Sequence, residues 1–325
     1  MAKKKCFLIF LLAFLLTGCV LNSNSSKEEV HNNSTEVLSL PNSTGNPSQH
    51  NEKSCNWGYE LIMNGHSPAE KDQKKVSIAI LDSGINQTHI ELQGKIIDSF
   101  NTVESENHED FLNHGTAVAA IIAGENKEKG ICGIFPTALI YDVRILDKNG
   151  NGNVDNLVEG LEWAIEQDVD IINISVGTSE SNPKLEKAVN EANKKGIIII
   201  ASSGNKYGLS ADYPAKYDSV ISVGSIGEDL KKSVFGVSGK VDFVAPGEDI
   251  KSIDNNGEYV LYSGTSFSTA FVTGVVANLL SQNSYPDNKT KFTQVYSDLK
   301  SMSVLPSQTE NVSKFYGNGI VKFKK

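Results

Sequence analysis

Residues 76–84 have the sequence Val-Ser-Ile-Ala-Ile-Leu-Asp-Ser-Gly, and this stretch decides the fold. Five of its first six residues are apolar, and the run ends at Asp82, which is followed two residues later by Gly84. Short apolar runs that stop at such turn residues are typical of strands buried on both faces, as in parallel sheets covered by helices. Residues 76–81 therefore predict a central strand of an α/β domain, with the Asp82 carboxylate at its carboxyl end.

Further apolar runs of this kind follow along the chain, at residues 138–146, 170–176, 197–201 and 220–223. Helical patterns separate them. Between residues 154 and 165 apolar side chains recur at spacings of three and four, and a second helix is predicted from its cap Asn182 to a stop at Gly196. Strands that alternate with helices predict a three-layer α/β fold, in which a mostly parallel central sheet is flanked by helices.

The composition excludes one class of partner. The chain has 325 residues, of which 39% are hydrophobic and 21% are charged, and these values are ordinary for a globular protein. Its formal net charge is −9, and Arg144 is the only arginine among its 30 basic residues. Proteins that bind polyanions usually carry a surplus of positive charge, so we do not expect nucleic acid as a partner.

The N-terminus predicts export. Lysines at positions 3–5 precede an apolar run at residues 6–16, which is shorter than the roughly 20 residues that span a bilayer. Residues 1–18 are therefore predicted to be a signal peptide. The run ends in Leu-Thr-Gly-Cys19, which resembles a bacterial lipoprotein box and implies a lipidated Cys19 on the extracytoplasmic face of the membrane. The alternative is a plain secretory signal that contains Cys19 by chance.

Residues 19–54 are rich in Asn and Ser and show little apolar periodicity, so we predict a flexible polar tether. A poorly patterned folded pro-segment is the alternative. The folded domain is then residues 55–325. Two cysteines, Cys55 and Cys132, lie within it and would share an oxidising compartment. They could form a disulfide, or Cys132 could be a buried free thiol.

Three segments of this domain place a reactive side chain where a strand or loop meets a helix. Asp82 ends the strand at residues 76–81, His114 opens an alanine-rich helix, and Ser266 opens a helix that runs to about Leu280. A serine hydroxyl is a weak nucleophile, so a base must take its proton and a carboxylate must orient that base. Asp82, His114 and Ser266 are therefore predicted to form a nucleophilic relay.

The motifs Asp82-Ser-Gly, His114-Gly-Thr and Gly-Thr-Ser266, in this chain order, resemble the subtilisin family of serine proteases. The resemblance extends from about residue 57 to residue 321 and implies a subtilisin-like endopeptidase that needs no cofactor. Asn205, which follows the apolar run at 197–201, matches the oxyanion-hole asparagine of the family. An amide donor in that position contributes about 3–4 kcal/mol to transition-state stabilisation. The alternative role of Asn205 is that of a turn residue.

The same resemblance implies a groove that binds an extended peptide. Ser175, Val176 and Gly177 correspond to its edge strand and Asn151, Gly152 and Asn153 to the facing strand, and both pair with substrate through the backbone. Val154, Leu157 and Val176 would line the pocket for the fourth residue before the cut. Each of these three could instead be ordinary helix or strand core.

Asp212 is predicted to determine specificity. The segment Asp212-Tyr213-Pro214 resembles the family's Tyr-Pro segment, and the residue before the tyrosine lies at the base of the first substrate pocket. A carboxylate there favours Lys or Arg before the cut through a charge-assisted hydrogen bond. Because the loop at 205–213 is shorter than in secreted subtilisins, a solvated Asp212 is the alternative.

We expect no metal site. Residues 147–152 match the start of an EF-hand loop, but Val158 stands where that loop requires a bidentate Glu. The loop at 125–130 corresponds to a calcium site of many subtilisins, with Glu91 as a further ligand position. Lys127 falls in that loop, and an ammonium cannot bind a cation, so we expect chelators to leave thermal stability almost unchanged.

The narrower role predicted from these features is the processing of an exported precursor. A tethered protease with an acidic first pocket resembles the leader peptidases that mature lantibiotic precursors in Gram-positive bacteria. Its partners would be a peptide or protein substrate and, through Cys19, the membrane, and we expect it to act as a monomer. A general cell-surface protease and an inactive peptide-binding lipoprotein are the alternatives.

Overall fold

The structure is a computed structural model that describes residues 37–39, 55–67, 73–103, 106–125, 131–306 and 312–324. The predicted signal peptide, Cys19 and most of the predicted tether lie outside the described residues. No helix in the ranges just given is both long enough and apolar enough to cross a bilayer.

The described ranges contain thirteen strands and seven helices. The strands are β1 (Val37–Ser39), β2 (Ser77–Asp82), β3 (Ile96–Asn101), β4 (Leu139–Arg144), β5 (Asn151–Asn153), β6 (Ile171–Ile174), β7 (Ile198–Ser202), β8 (Val220–Ile226), β9 (Phe243–Pro246), β10 (Ile250–Ile253), β11 (Tyr259–Tyr262), β12 (Ser303–Val304) and β13 (Ile320–Val321). The helices are α1 (Trp57–Met63), α2 (His114–Ala123), α3 (Val154–Glu166), α4 (Pro183–Lys194), α5 (Thr265–Gln282), α6 (Asn288–Met302) and α7 (Val312–Tyr316), with a 3-10 turn at Ile90–Leu92.

Nine of these strands form the central sheet, in the order β12-β13-β9-β8-β7-β6-β2-β4-β3. Every neighbouring pair is parallel except β12 and β13. The predicted α/β class and the mostly parallel sheet are therefore confirmed. All five predicted strands are present as β2, β4, β6, β7 and β8, with ends that differ from the prediction by at most three residues.

Helices cover both faces of the sheet because successive side chains of a strand point in opposite directions. Ile78 and Ile80 of β2 pack into one hydrophobic cluster with α2 and α5. Ala79 and Leu81 of the same strand pack into a second cluster with α3 and α4. The sheet thus separates two cores, and α5 is buried along nearly its whole length.

Two small antiparallel pairs lie outside the central sheet, and the apolar pattern did not predict either of them. The strands β10 and β11 form a hairpin that leads directly into α5. The segment β1 pairs with β5, with Leu38 opposite Gly152. Residues 37–39 fall inside the predicted tether, so this part of it lies against the folded domain.

The two cysteines of the domain form a disulfide. Cys55, just ahead of α1, is bonded to Cys132 in the loop that follows α2, with a Cα–Cα distance of 5.5 Å. The disulfide was one of two alternatives left by the sequence, and the buried free thiol at Cys132 is excluded.

Candidate active site

The carboxyl end of β2 brings Asp82 against the first residue of α2. Nδ1 of His114 lies 2.7 Å from Oδ1 of Asp82, and both side chains are buried. Burial by itself would lower the pKa of His114, but the charge of Asp82 and the hydrogen bond to it outweigh that effect. The pKa of His114 is therefore raised above its ordinary value of 6.5. The pair can hold the imidazole in one orientation and stabilise its protonated form.

A second buried carboxylate joins the segments that carry this pair. Asp110 accepts hydrogen bonds from the hydroxyl of Ser83 (2.8 Å) and from the backbone N–H of Thr116 (2.9 Å). Ser83 also accepts from the backbone N–H of Gly115 (3.0 Å), next to His114. Burial raises the pKa of the Asp110 carboxyl. The sequence analysis missed Asp110, although a carboxylate four residues before His114 was visible.

Ser266 lies in the first turn of α5, close to the same edge of the sheet. Its Oγ donates a hydrogen bond to the backbone carbonyl of Ser175 at 3.1 Å. Nε2 of His114 makes no hydrogen bond within the described part of the chain. The Asp82–His114 half of the predicted relay is therefore assembled, and rotation of the Ser266 side chain is needed to complete it. Catalytic hydrogen bonds are often incomplete in the absence of substrate.

Asn205 follows β7 and is held by the residue before Ser266. Its Oδ1 accepts hydrogen bonds from the backbone N–H of Thr265 (3.1 Å) and from the Thr265 hydroxyl (3.0 Å). Both contacts use the side-chain oxygen of Asn205. The Nδ2 group of the same amide can therefore still act as a hydrogen-bond donor. An amide donor beside a nucleophilic serine can stabilise a developing oxyanion.

Of the two predicted substrate-binding segments, one is a strand and the other follows a strand. Asn151, Gly152 and Asn153 form β5, and β1 already pairs with them in antiparallel fashion. Ser175, Val176 and Gly177 follow the end of β6. An extended segment of this chain therefore occupies the edge that was predicted to bind a peptide.

The predicted pocket for the fourth residue before the cut is buried here. Val154, Leu157 and Val176 all belong to the hydrophobic cluster beneath α3 and α4, and Leu157 has no exposed surface. The three side chains therefore pack as core, which was the alternative to a pocket role. Leu157 presents no surface to a ligand in this state.

Asp212 is not solvated, so that alternative is wrong. The residue is 7% exposed, and its carboxylate lies against Gly204, where an added Cβ would be 2.6 Å from Asp212 Oδ2. Its Oδ1 is ion-paired with the ammonium of Lys206, which also donates to Ser179 Oγ at 2.8 Å. The sequence analysis missed Lys206, and its only signal was its position directly after Asn205.

The two rejected metal loops have other contacts. Asp147 accepts hydrogen bonds from the backbone N–H groups of Asn149 (2.8 Å) and Asn151 (2.9 Å), so its carboxylate shapes the turn before β5. Lys95 places its ammonium 2.8 Å from Glu125 Oε1. Lys127 and the rest of that loop lie outside the described residues.

Comparison with known proteins gives consistent matches. The family model described as the subtilase family matches residues 73–319. Subtilisin E of Bacillus subtilis (strain 168) is 34% identical over 251 residues, which are 76% of this chain and 64% of that relative. Subtilisin of Bacillus pumilus is also 34% identical over 251 residues, which are 76% of this chain and 88% of the relative.

The intracellular serine protease of Paenibacillus polymyxa is 35% identical over 281 residues, which are 81% of this chain and 84% of that protein. The coverage differs among the relatives. The chain spans slightly less than two thirds of the length of subtilisin E and most of the length of the other two.

Proposed function

The chain belongs to the subtilase family, and from this membership we propose that it is a serine endopeptidase with Asp82, His114 and Ser266 as its triad. One observation carries the proposal. The 2.7 Å contact between His114 Nδ1 and Asp82 Oδ1 lies beside the helix start that presents Ser266. Once the Ser266 side chain rotates towards His114, this pair can convert the serine hydroxyl into a nucleophile.

The proposed reaction begins with rotation of the Ser266 side chain from the Ser175 carbonyl towards His114. Nε2 of His114 takes the hydroxyl proton while Oγ attacks the carbonyl carbon of the substrate. Asn205 Nδ2 and the backbone N–H of Ser266 hold the oxyanion. The proton then passes to the leaving amine, and water, activated in the same way, hydrolyses the acyl-enzyme. The Ser175 carbonyl, freed by the rotation, becomes an acceptor for a substrate N–H.

Backbone pairing is the proposed mode of substrate binding. The antiparallel contact of Val37–Ser39 with Asn151–Asn153 supports it, because an extended strand of this chain already uses the backbone groups of that edge. Strand addition at an exposed edge supplies affinity through main-chain hydrogen bonds and leaves specificity to the side-chain pockets.

We place the enzyme outside the cytoplasmic membrane, anchored through a lipid on Cys19 and acting as a monomer. The lysine-rich and apolar start of the chain supports export. The Cys55–Cys132 disulfide supports the same location, since disulfides persist in oxidising compartments. Mass spectrometry of Cys19 in membrane extracts tests the anchor; an unmodified Cys19 in the mature protein would contradict it.

The proposed substrate is an exported precursor, such as a lantibiotic leader peptide, cut after Lys or Arg. The buried carboxylate of Asp212, which lies against Gly204 and Gly177, supports a basic first position. Lys206 already neutralises this carboxylate, but its side chain is about one third exposed. A substrate cation can therefore replace the Lys206 ammonium if that side chain moves into solvent.

A general surface protease is the second candidate, and the same ion pair favours it. With Lys206 in place, the Asp212 site carries no net charge and offers a basic side chain little advantage. In this case the enzyme would prefer apolar residues before the cut. The two candidates differ only in whether Lys206 leaves the carboxylate when substrate binds.

One experiment separates these functions. The full-length chain and its Ser266→Ala variant are assayed with a library of quenched fluorescent peptides. Turnover that is absent in the variant and strongest for Arg or Lys before the cut supports leader-peptide processing. Turnover with apolar preference supports the general protease. No turnover by the unaltered chain would overturn the enzymatic proposal and favour an inactive peptide-binding lipoprotein.

A further inference from the structure

Asn255 connects the turn of the β10–β11 hairpin to the segments around the catalytic histidine. Its backbone N–H donates to Asn113 Oδ1 at 2.9 Å, and its side-chain Nδ2 donates to the backbone carbonyl of Asp110. Its own carbonyl accepts from Asn86 Nδ2 at 3.2 Å. Thr116 Oγ1 lies 3.1 Å from Asn255 Oδ1 and shares its one proton between that oxygen and Asp110.

These partners surround His114 on both sides in the sequence. Asn113 immediately precedes it and has a φ of 63°, a left-handed conformation that asparagine tolerates better than most residues. Thr116 lies in the first turn of α2, which His114 opens. Asn86 follows the loop that leaves Asp82. Asn255 therefore contacts residues on both sides of His114 in the sequence and the segment that follows Asp82.

The same hairpin leads into the nucleophile. Its second strand, β11, ends at Tyr262, and α5 begins three residues later with Ser266 in its first turn. The Tyr262 ring packs on Phe267 at 5.1 Å, and Phe267 packs on the His114 ring at 5.2 Å. In addition, Ser252 of β10 donates to the backbone carbonyl of Ala117 in α2 at 2.9 Å.

The hairpin is therefore a direct mechanical link between the two helix starts that carry the base and the nucleophile. The link matters because the Ser266 hydroxyl must rotate to reach His114 Nε2. The distance between Ser266 Oγ and His114 Nε2 after this rotation depends on the relative positions of the starts of α2 and α5. Misplacement of reacting groups by about 1 Å can lower a rate by about 100-fold.

We propose that Asn255 is a positioning residue, which sets the distance between His114 Nε2 and Ser266 Oγ by holding the β10–β11 turn against the histidine-bearing segments. The proposal rests on the proposed protease function. It assigns Asn255 no contact with substrate, so the residue acts on the rate of the chemical step and not on substrate binding.

The chain offers a matched control in the neighbouring Asn256. This residue lies in the same turn but is exposed, and the hydrogen bonds that the structure gives its N–H and amide groups go to the carboxylate of Asp254 in that turn. Asn255→Ala removes the side-chain contacts with Asp110 and Thr116, whereas Asn256→Ala removes none of the contacts with the histidine-bearing segments. Asn255→Asp keeps the Oδ1 acceptor but replaces the Nδ2 donor by a carboxylate oxygen, which cannot donate to the Asp110 carbonyl.

The test measures kcat and KM of the full-length variants on the best peptide of the library. Reactive sites are counted by labelling with a fluorophosphonate to completion. We expect Asn255→Ala to lower kcat per labelled site by about 10- to 100-fold with KM within about twofold. Asn256→Ala should match the unaltered chain, and Asn255→Asp should lose at least as much rate as Asn255→Ala, because its carboxylate would face the backbone carbonyl of Asp110.

Two results would overturn the inference. If Asn255→Ala only reduces the number of labelled sites while kcat per site is unchanged, the residue stabilises the fold and does not position the triad. If Asn256→Ala loses as much kcat per site, any change in the β10–β11 turn lowers the rate, and Asn255 has no specific positioning role. Failure of the proposed function is a separate result, in which the unaltered chain is neither labelled nor active.

Discussion

The ammonium of Lys206 is ion-paired with the carboxylate of Asp212, and the carboxylate is almost fully buried while the lysine is about one third exposed. A charge that was predicted to attract a basic substrate is therefore already neutralised by the residue next to Asn205. The partly exposed Lys206 ammonium can replace its contact with Asp212 by contacts with water more easily than the buried carboxylate can. Lys206 is thus the component of the pair that can respond to a substrate.

We predict that Lys206→Met increases the preference for Arg over Phe before the cut. The free carboxylate would form a charge-assisted hydrogen bond with the substrate, and such a bond contributes about 1.5–3 kcal/mol, or about ten- to a hundredfold in kcat/KM. The measurement is the ratio of kcat/KM for two peptides that differ at this position. Lys184→Met, which breaks an exposed ion pair with Asp155, is the control. An unchanged ratio would show that Asp212 does not face the first pocket.

The pH dependence of activity should report the environment of His114. The base must be neutral to accept the Ser266 proton, so activity is lost as pH falls through the pKa of His114. Because Asp82 raises that pKa, we expect the acid limb of kcat/KM to lie above 6.5. Asp82→Asn should move the limb to lower pH and reduce kcat by about 10⁴-fold. An acid limb well below 6.5 in the unaltered enzyme would argue against the Asp82–His114 contact.

Reduction of the Cys55–Cys132 disulfide should destabilise the domain. The two residues are 77 positions apart, and a cross-link over a loop of that length contributes about 4 kcal/mol in the chain-entropy model. For a domain of this size the melting temperature should fall by roughly 10 °C. Thermal unfolding with and without dithiothreitol measures this. A Cys55→Ser/Cys132→Ser double variant should melt at the lower temperature in both buffers; equal melting of all samples would refute the prediction.

The pairing of β1 with β5 should compete with substrate. An intramolecular segment acts at an effective concentration of about millimolar, so its removal should lower KM several-fold and leave kcat unchanged. Replacing residues 37–39 by three prolines removes their backbone donors. The same replacement at residues 29–31 is the control. The measurement is kcat and KM on one peptide. If KM is identical in both variants, the segment leaves the groove without a cost in free energy.

The fold was largely predictable because its central strands are buried on both faces. The apolar runs of β2, β6 and β7 predict strands without reference to any other part of the chain. The edge strand β3 and the hairpin strand β11 were missed because they are only partly buried, so their patterns contain no comparable run.

The residues of the candidate site likewise fall into those that the sequence predicted and those that it did not. Asp82, His114, Ser266 and Asn205 were recognisable because each lies in a short motif at the end of a strand or the start of a helix. Lys206 and Asn255 were not, because neither has a local motif. Their roles depend on partners that the fold brings near, and for Asn255 these include residues more than 130 positions away in the chain.

The sequence by itself determined the α/β class, the chain order of the three proposed triad residues and the amide residue proposed to act with them. These features depend on local burial patterns and on motifs of three to five residues, which the chain carries before it folds. Only the tertiary structure decided that Asp212 is paired with Lys206, that Cys55 meets Cys132 and that Asn255 is hydrogen-bonded to Asn113, next to His114. Such contacts depend on the packing of distant segments, and the apolar pattern specifies which surfaces are buried but not which polar groups meet.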